Sequence, residues 1–206
     1  MAQTLKALVL DYGGVLVRPQ PEASVMRMAS RAGVPKEEFE RAYWMHRRAY
    51  DLDGRAPSYW RRVLESCGAH VPPPALDALV ADLVKEDVAS WTHYREEVWD
   101  LARGFREGGG RTAVLSNGNL EIMGRARAER PFERVFDAVV LSCELGVVKP
   151  DRAIYERCLE EVGVDPGRTL FVDDLRENLV AAQALGLLTL HFDGEAGVKS
   201  LRERLG

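Results

Sequence analysis

The chain has 206 residues, of which 46% are hydrophobic and 29% are charged, the composition of an ordinary globular protein rather than a disordered one. Its formal net charge of −4 argues against a general nucleic-acid-binding surface, which would be basic. No apolar run approaches the roughly 20 residues that span a bilayer, and the first residues lack a signal-peptide pattern. We therefore expect a cytoplasmic monomer or homodimer whose partners are neither nucleic acids nor membranes.

The cysteines predict a reducing compartment. Cys67, Cys143 and Cys158 are far apart in the sequence and odd in number. That pattern favours free thiols over a disulfide framework or a zinc site.

Short apolar runs predict strands at residues 5–10, 112–115, 138–141 and 169–172, with a weaker run at 187–190. Because these runs are apolar at nearly every position, we expect strands covered on both faces, as in a parallel sheet. Helical patterns at about residues 97–107, 151–162 and 177–184 alternate with them, and glycine follows each. The alternation predicts an α/β fold with a doubly wound parallel sheet.

Residues 17–94 break this alternation. They contain no convincing strand, and their apolar residues recur at helical spacing, as in Phe39 and Tyr43 or Tyr59 and Val63. We predict a helical insert of several helices between the first strand and the rest of the α/β domain.

Polar residues follow the predicted strands at their carboxyl ends, where open parallel sheets bind ligands. They are Asp11, Gly13 and Gly14 after the first strand, Ser116 and Asn117 after the second, Lys149 after the third, and Asp173, Asp174 and Asn178 after the fourth. Three carboxylates in one cleft would repel each other unless a cation neutralised them, and Mg²⁺ prefers carboxylate and carbonyl oxygens. The lysine, the serine and turn amides are suited to a phosphoryl dianion.

Four motifs carry a resemblance to a known family. They are Asp11-Tyr12-Gly13-Gly14-Val15-Leu16, Leu115-Ser116-Asn117, Lys149-Pro150, and Val172-Asp173-Asp174 through Asn178. In this order and spacing they resemble the motifs of the haloacid dehalogenase-like hydrolase superfamily. The resemblance implies a Rossmann-like core formed by residues 1–16 and 95–206, with a small all-helical cap domain over residues 17–94.

The resemblance also implies catalytic roles. Asp11 would be the nucleophile that becomes phosphorylated, and Ser116 would hold a phosphoryl oxygen. Lys149 would neutralise charge on the nucleophile and on the transferred group. Asn117 is expected to contact the substrate.

The metal assignment follows the same resemblance. Mg²⁺ would be held by Asp11, by Asp174, by Asp173 directly or through water, and by the backbone carbonyl of Gly13. Asn178 is expected to orient these groups rather than to bind the metal.

Gly13 departs from the family pattern, because most of its phosphatases carry there an aspartate that protonates the leaving group and later activates water. Such acid–base help is worth roughly 10²–10⁴-fold. Three interpretations stay open: a substrate with a good leaving group such as a sugar 1-phosphate or an acyl phosphate, a proton donor on the cap, or weak activity. The glycine form resembles the glucose-1-phosphate phosphatases and the phosphatase domain of soluble epoxide hydrolases.

The insert is rich in basic and aromatic residues. Arg47, Arg48 and Tyr50 are our candidates for lining the cleft, binding the leaving group and excluding water. The alternative is a solvated basic helix face over an aromatic core.

Three functions follow from these residues. The first is Mg²⁺-dependent hydrolysis of a small phosphorylated metabolite through an aspartyl phosphate. The second is metal-independent 2-haloacid dehalogenation, which the retained pair Asp173 and Asp174 disfavours. The third is a catalytically weak phosphoester-binding protein, because Gly13 cannot act as an acid.

Overall fold

The computed structural model describes residues 4–206, apart from the side chain of Asp53. Its centre is a five-stranded parallel sheet in the spatial order β3-β2-β1-β4-β5. The strands are Ala7–Leu10 (β1), Arg111–Ser116 (β2), Ala138–Leu141 (β3), Thr169–Asp173 (β4) and Leu188–His191 (β5). Each overlaps one of the predicted runs, so the predicted α/β fold is confirmed.

Strand β1 shows why its sequence is apolar at every position. Successive strand residues point to opposite faces of a sheet. Leu8 and Leu10 belong to one buried cluster, and Ala7 and Val9 belong to another. Because helices cover both faces, the sheet is doubly wound, and no position of β1 is left for a polar side chain.

Four helices lie within residues 17–94, the predicted insert. They are Glu22–Ala32 (α1), Lys36–Asp53 (α2), Ala56–Ser66 (α3) and Pro73–Ser90 (α4). Their apolar faces form a core of their own that includes Phe39, Tyr43 and Trp60. Burying one such side chain contributes roughly 1.5–3 kcal/mol, so the insert has a substantial apolar core. An antiparallel bridge between Val17 and Tyr94 joins its two ends, while the domain division at 17–94 stays a prediction.

The remaining helices pack against the sheet or connect its strands. They are Glu96–Glu107 (α5), Leu120–Glu129 (α6), Phe132–Val135 (α7), Ser142–Leu145 (α8), Arg152–Val162 (α9), Arg176–Ala184 (α10) and Gly194–Leu205 (α11). Helices α5, α9 and α10 match predicted helices to within one residue. Helices α6 and α11 were not predicted.

Two expectations from composition can be compared with the structure. Among the helices in residues 4–206, none combines the length and the apolarity that a membrane crossing requires. Cys67, Cys143 and Cys158 are free thiols, as their spacing predicts.

Candidate active site

Asp11 lies directly beyond the carboxyl end of β1. Its backbone N–H donates to the carbonyl of Val172 at 3.0 Å, which continues the pairing of β1 with β4. Its carboxylate accepts a 2.7 Å hydrogen bond from the N–H of Tyr12. The sheet and the following turn therefore both fix the position of the predicted nucleophile.

The turn over Tyr12–Leu16 contains two glycines, and only Gly14 has a backbone conformation that requires glycine. Gly14 has a φ of 72°, and a Cβ built there would lie 2.4 Å from Oδ2 of Asp174. Gly13 has ordinary extended backbone angles, and a Cβ there would meet only the Trp91 ring at 3.5 Å. Gly14 thus lets the Asp174 carboxylate approach the turn that carries Asp11.

Lys149 is a buried cation between two aspartates. Its Nζ lies 2.9 Å from Oδ1 of Asp11 and 2.7 Å from Oδ2 of Asp173, and it donates to the carbonyl of Leu115 at 3.0 Å. Burial alone would lower the pKa of the Lys149 ammonium, but the charges of Asp11 and Asp173 outweigh that effect and raise it. The ammonium therefore stays charged beside the nucleophile.

Asp173 is the last residue of β4 and lies beside Lys149. It is fully buried and does not line the cavity described below. Its carboxylate accepts hydrogen bonds from Lys149 Nζ, from Asn178 Nδ2 and from the N–H of Leu175. Because both oxygens accept hydrogen bonds, Asp173 holds Lys149 in place, and its metal contact, directly or through water, stays a prediction.

Asn178 lies where an orienting residue is expected. Its Nδ2 donates to both carboxylate oxygens of Asp173, at 3.0 and 3.1 Å. It reaches them from the first turn of α10.

The acidic cluster suits a hard divalent cation. Asp11, Asp173 and Asp174 each offer an oxygen, and the three oxygens lie within 4.8 Å of one another. Of the three, Asp11 and Asp174 line the cavity. Two carboxylates that line one cavity are the kind of oxygen donor that Mg²⁺ prefers.

The two carboxyls that line the cavity, Asp11 and Asp174, both have raised pKa values. Burial raises the pKa of Asp11 to about 7, and the charges of Asp173 and Asp174 add to this effect, whereas Lys149 opposes it. Burial and the charge of Asp173 likewise raise the pKa of Asp174. A bound cation would favour the ionised form of both carboxyls.

Ser116 and Asn117 end β2 and begin the next loop, and both line the cavity. The Asn117 side chain pairs with the backbone of Lys149: its Nδ2 donates to the Lys149 carbonyl at 3.0 Å, and its Oδ1 accepts from the Lys149 N–H at 2.7 Å. The predicted contact of Asn117 with substrate stays a prediction. Because its amide is committed to the loop that carries Lys149, Asn117 positions that loop.

One cavity of about 780 Å³ joins these sheet-end residues to the insert. Trp44, Arg47, Arg48 and Asp51 of α2 line it, together with Trp91. The volume exceeds what a phosphate group needs and lies in the range of small-molecule sites.

The predicted cap residues differ in their placement. The guanidinium of Arg47 is mostly buried, pairs with Asp51 at 2.9 Å and lies over the Trp91 ring at 5.7 Å. Arg48 is exposed and pairs with Asp151 at 3.2 Å, which links the insert to the core.

Tyr50 does not line the cavity, contrary to the prediction. Its ring stacks on Tyr59 at 4.3 Å, and its hydroxyl donates to Glu121 at 2.9 Å. The prediction was wrong because positions 47 and 50 are about one helical turn apart and so lie on the same side of α2. Only the packing of neighbouring helices decides which of the two side chains is covered and which reaches the cavity.

Asp51 is a cavity residue that sequence reasoning missed. A signal was present, because Asp51 follows Arg47 by four positions, the spacing of an ion pair on a helix. The pattern did not reveal that this pair faces the same cavity as Asp11.

Relatives among known proteins include phosphatases and dehalogenases. The chain is 28% identical over 217 residues to acyl-CoA dehydrogenase family member 10 of Mus musculus, a match to 99% of this chain and 19% of that protein. It is 40% identical over 73 residues to sesquiterpene phosphatase astK of Aspergillus oryzae, 35% of this chain and 37% of the relative. The chain thus spans well under half the length of these two relatives.

A third relative and a solved structure match over most of both chains. The chain is 24% identical to (S)-2-haloacid dehalogenase 4A of Burkholderia cepacia, over 94% of this chain and 85% of that protein. A HAD family enzyme from Bacteroides thetaiotaomicron, solved in complex with magnesium and inorganic phosphate, superposes with a TM-score of 0.69 at 22% identity. That match covers 93% of this chain and 96% of the other, and it supports the fold.

The family model for "haloacid dehalogenase-like hydrolase" matches residues 5–186, which include all four motifs. The chain therefore belongs to the haloacid dehalogenase-like hydrolase family.

Proposed function

We propose that the protein hydrolyses a small phosphate monoester in a Mg²⁺-dependent reaction through an aspartyl phosphate on Asp11. One observation carries the proposal: a buried nucleophilic carboxylate lies 2.9 Å from a lysine ammonium and beside a second accessible carboxylate, Asp174, in the same cavity. Phosphoryl transfer requires positioning and charge neutralisation, and this arrangement offers both.

The reaction proceeds in two displacements. An oxygen of the Asp11 carboxylate attacks phosphorus, and the bond to the leaving oxygen breaks with its electron pair on that oxygen. Water then attacks the aspartyl phosphate, the bond between phosphorus and the Asp11 oxygen breaks, and inorganic phosphate leaves.

The other residues stabilise charge. The Lys149 ammonium compensates negative charge on Asp11 and on the transferred group, and the Ser116 hydroxyl is placed at the end of β2 to contact a phosphoryl oxygen. Asp11, Asp174 and the Gly13 carbonyl would hold Mg²⁺, which when bound supplies further charge neutralisation.

The cavity bears on the substrate class. Its aromatic and basic wall, formed by Trp44, Trp91, Arg47 and Arg48, leaves room for an organic group beyond the phosphate. A small phosphorylated metabolite such as a sugar phosphate fits this description. Neither a nucleic acid nor a membrane enters the proposal.

A second candidate is 2-haloacid dehalogenation, which the Burkholderia cepacia relative supports by its match to 94% of this chain. In that reaction Asp11 would attack carbon and displace halide, with no need for a metal. The accessible Asp174 beside Asp11 favours the phosphatase, because a second carboxylate there repels the anionic substrate unless a cation is bound.

Our first prediction tests this proposal with a panel of phosphate esters, including sugar 1-phosphates, and with 2-chloropropionate. We expect phosphate release that stops in EDTA and returns with Mg²⁺. Asp11→Asn should reduce it by a factor on the order of 10³ or more, because the amide is a poor nucleophile, while the melting temperature shows a folded protein. Chloride release that EDTA leaves unchanged, or a fully active Asp11→Asn, would contradict the proposal.

A further inference from the structure

The proposed reaction needs a proton donor for the leaving group, and the turn after β1 offers none. The leaving oxygen needs a proton, and Gly13, two positions after Asp11, has no side chain to give one. The adjacent Tyr12 is already engaged, because its hydroxyl donates to the Trp91 carbonyl at 2.8 Å and burial raises its pKa far above the ordinary value. Another acid must therefore supply the proton.

Apart from Asp11 and Asp174, the described carboxylic acids that line the cavity are Glu22, Glu40, Asp51 and Glu177. Glu22 is exposed and paired with Lys36. Glu177 is also exposed, on the first turn of α10. An exposed carboxyl lacks the burial that favours the protonated form of an acid.

Glu40 and Asp51 lie on the same face of α2, eleven positions apart. At 1.5 Å per residue, that spacing separates them by roughly 16 Å along the helix. Asp51 lies at the end that touches the core: its carbonyl accepts a 2.7 Å hydrogen bond from Ser142 Oγ, which itself accepts one from the N–H of Gly118 at 3.1 Å. Asp51 is thereby fastened to the loop that follows Ser116.

The Asp51 carboxyl is enclosed and held in one orientation. Its side chain is 9% exposed, and Oδ1 accepts from Arg47 Nε at 2.9 Å. Burial raises the pKa of Asp51, although the positive charges of Arg47 and Lys149 oppose the shift. That raised value moves the carboxyl toward the range in which it can carry a proton and return it.

We propose that Asp51 is the proton donor and acceptor that replaces the missing side chain at position 13. This inference rests on the proposed phosphatase function. In the first displacement the protonated Asp51 carboxyl gives its proton to the leaving oxygen as the bond to phosphorus breaks, so that an alcohol departs. In the second, the Asp51 carboxylate takes a proton from the attacking water, whose oxygen bonds to phosphorus as Asp11 is released.

The test is the first turnover of Asp51→Asn on phosphate esters of graded leaving groups, from 4-nitrophenyl phosphate through phenyl phosphate to an alkyl phosphate, with enzyme in excess. We expect the variant to release nitrophenol at close to the wild-type rate, because that leaving group needs little proton assistance. Release of the alkyl alcohol should slow by ~10²–10⁴-fold. The phosphorylated enzyme should also persist longer, because its hydrolysis lacks a base.

Asp87→Asn is the matched control. Asp87 is also a buried acid of the insert, and it accepts hydrogen bonds from the Tyr43 hydroxyl and from Gln20, but it does not line the cavity. We expect this variant to keep the wild-type dependence on leaving group. If it shows the same steepened dependence as Asp51→Asn, loss of buried negative charge is the cause and the inference is overturned.

The outcomes separate the two proposals. A wild-type protein that hydrolyses no phosphate ester overturns the proposed function together with this inference. A wild-type protein that does so, with an Asp51→Asn variant of unchanged leaving-group dependence, overturns the inference alone. If the unpaired Arg47 charge prevents folding of the single variant, Arg47→Met/Asp51→Asn removes both charges, and Arg47→Met serves as its reference.

Discussion

The two adjacent glycines in the turn after β1 differ in whether the structure could accommodate a side chain at their position. Gly14 is confined by its left-handed backbone and by the Asp174 carboxylate, whereas Gly13 has backbone angles open to any residue. The backbone therefore does not require glycine at position 13, whereas glycine at position 14 is a steric requirement.

These glycines give our second prediction. Gly14→Ala should lower the free energy of unfolding by ~1–2 kcal/mol from the backbone alone, and should abolish turnover because Asp174 must move. Gly13→Ala should change the free energy of unfolding by no more than ~1 kcal/mol, since its φ is ordinary. Urea unfolding of both variants measures the difference, and equal losses would contradict this account of the turn.

The junction between α5, β2 and β3 shows how one side chain fastens several elements at the end of the sheet opposite the site. Asp137, just before β3, accepts from the N–H of Thr112 at 2.9 Å and pairs with Arg106 at 3.1 Å and with Arg111 at 3.2 Å. Burial alone would raise the pKa of the Asp137 carboxyl, but these hydrogen bonds and charges outweigh it and lower the pKa. The ionised form therefore stabilises the fold.

A third prediction follows for this junction. Because the pKa of Asp137 is lower in the folded state, its contribution is present above the unfolded value near 4 and is lost as pH falls through the folded value. Asp137→Asn should cost ~1–2 kcal/mol at pH 7, and the gap to the wild type should close below about pH 4. Urea titrations at several pH values measure this gap, and one that stays constant with pH would contradict the assignment.

At the scale of the whole molecule, the acidic cluster brings together carboxylates from segments far apart in sequence, and their negative charges repel one another. Asp11 and Asp174 belong to opposite ends of the chain, and their oxygens share the same small volume. A cation that binds the folded protein and not the unfolded chain shifts the folding equilibrium.

Our fourth prediction is that Mg²⁺ raises the melting temperature. At a concentration 100-fold above its dissociation constant, the stabilisation should be ~2.7 kcal/mol. Asp174→Asn should remove the Mg²⁺-dependent shift, and Asp137→Asn, an equal change of charge at the other end of the sheet, should keep it. Differential scanning calorimetry with and without Mg²⁺ makes the comparison, and a shift retained in Asp174→Asn would place the cation elsewhere.

The amino-acid pattern alone was enough to predict the strands, their parallel arrangement and the polar residues at their carboxyl ends. Strands that are apolar on both faces, such as β1, are typical of a parallel sheet that helices cover on both sides. In such a sheet the carboxyl ends of the strands lie along one edge, where ligands bind. Asp11, Lys149 and Asp174 could therefore be placed together without coordinates. Helix α11 was not predicted, although its residues Val198 and Leu201 pack in the same core cluster as the sheet.

The contacts of each polar side chain could not be predicted without the folded structure. Asp173 and Asn117 are committed to holding Lys149, Tyr50 is covered by Tyr59, and Asp51 faces the cavity in its place. The physical reason is that a hydrogen-bond partner or a covering ring comes from an element distant in sequence. Helical spacing fixes which residues share a face, and packing fixes what that face meets.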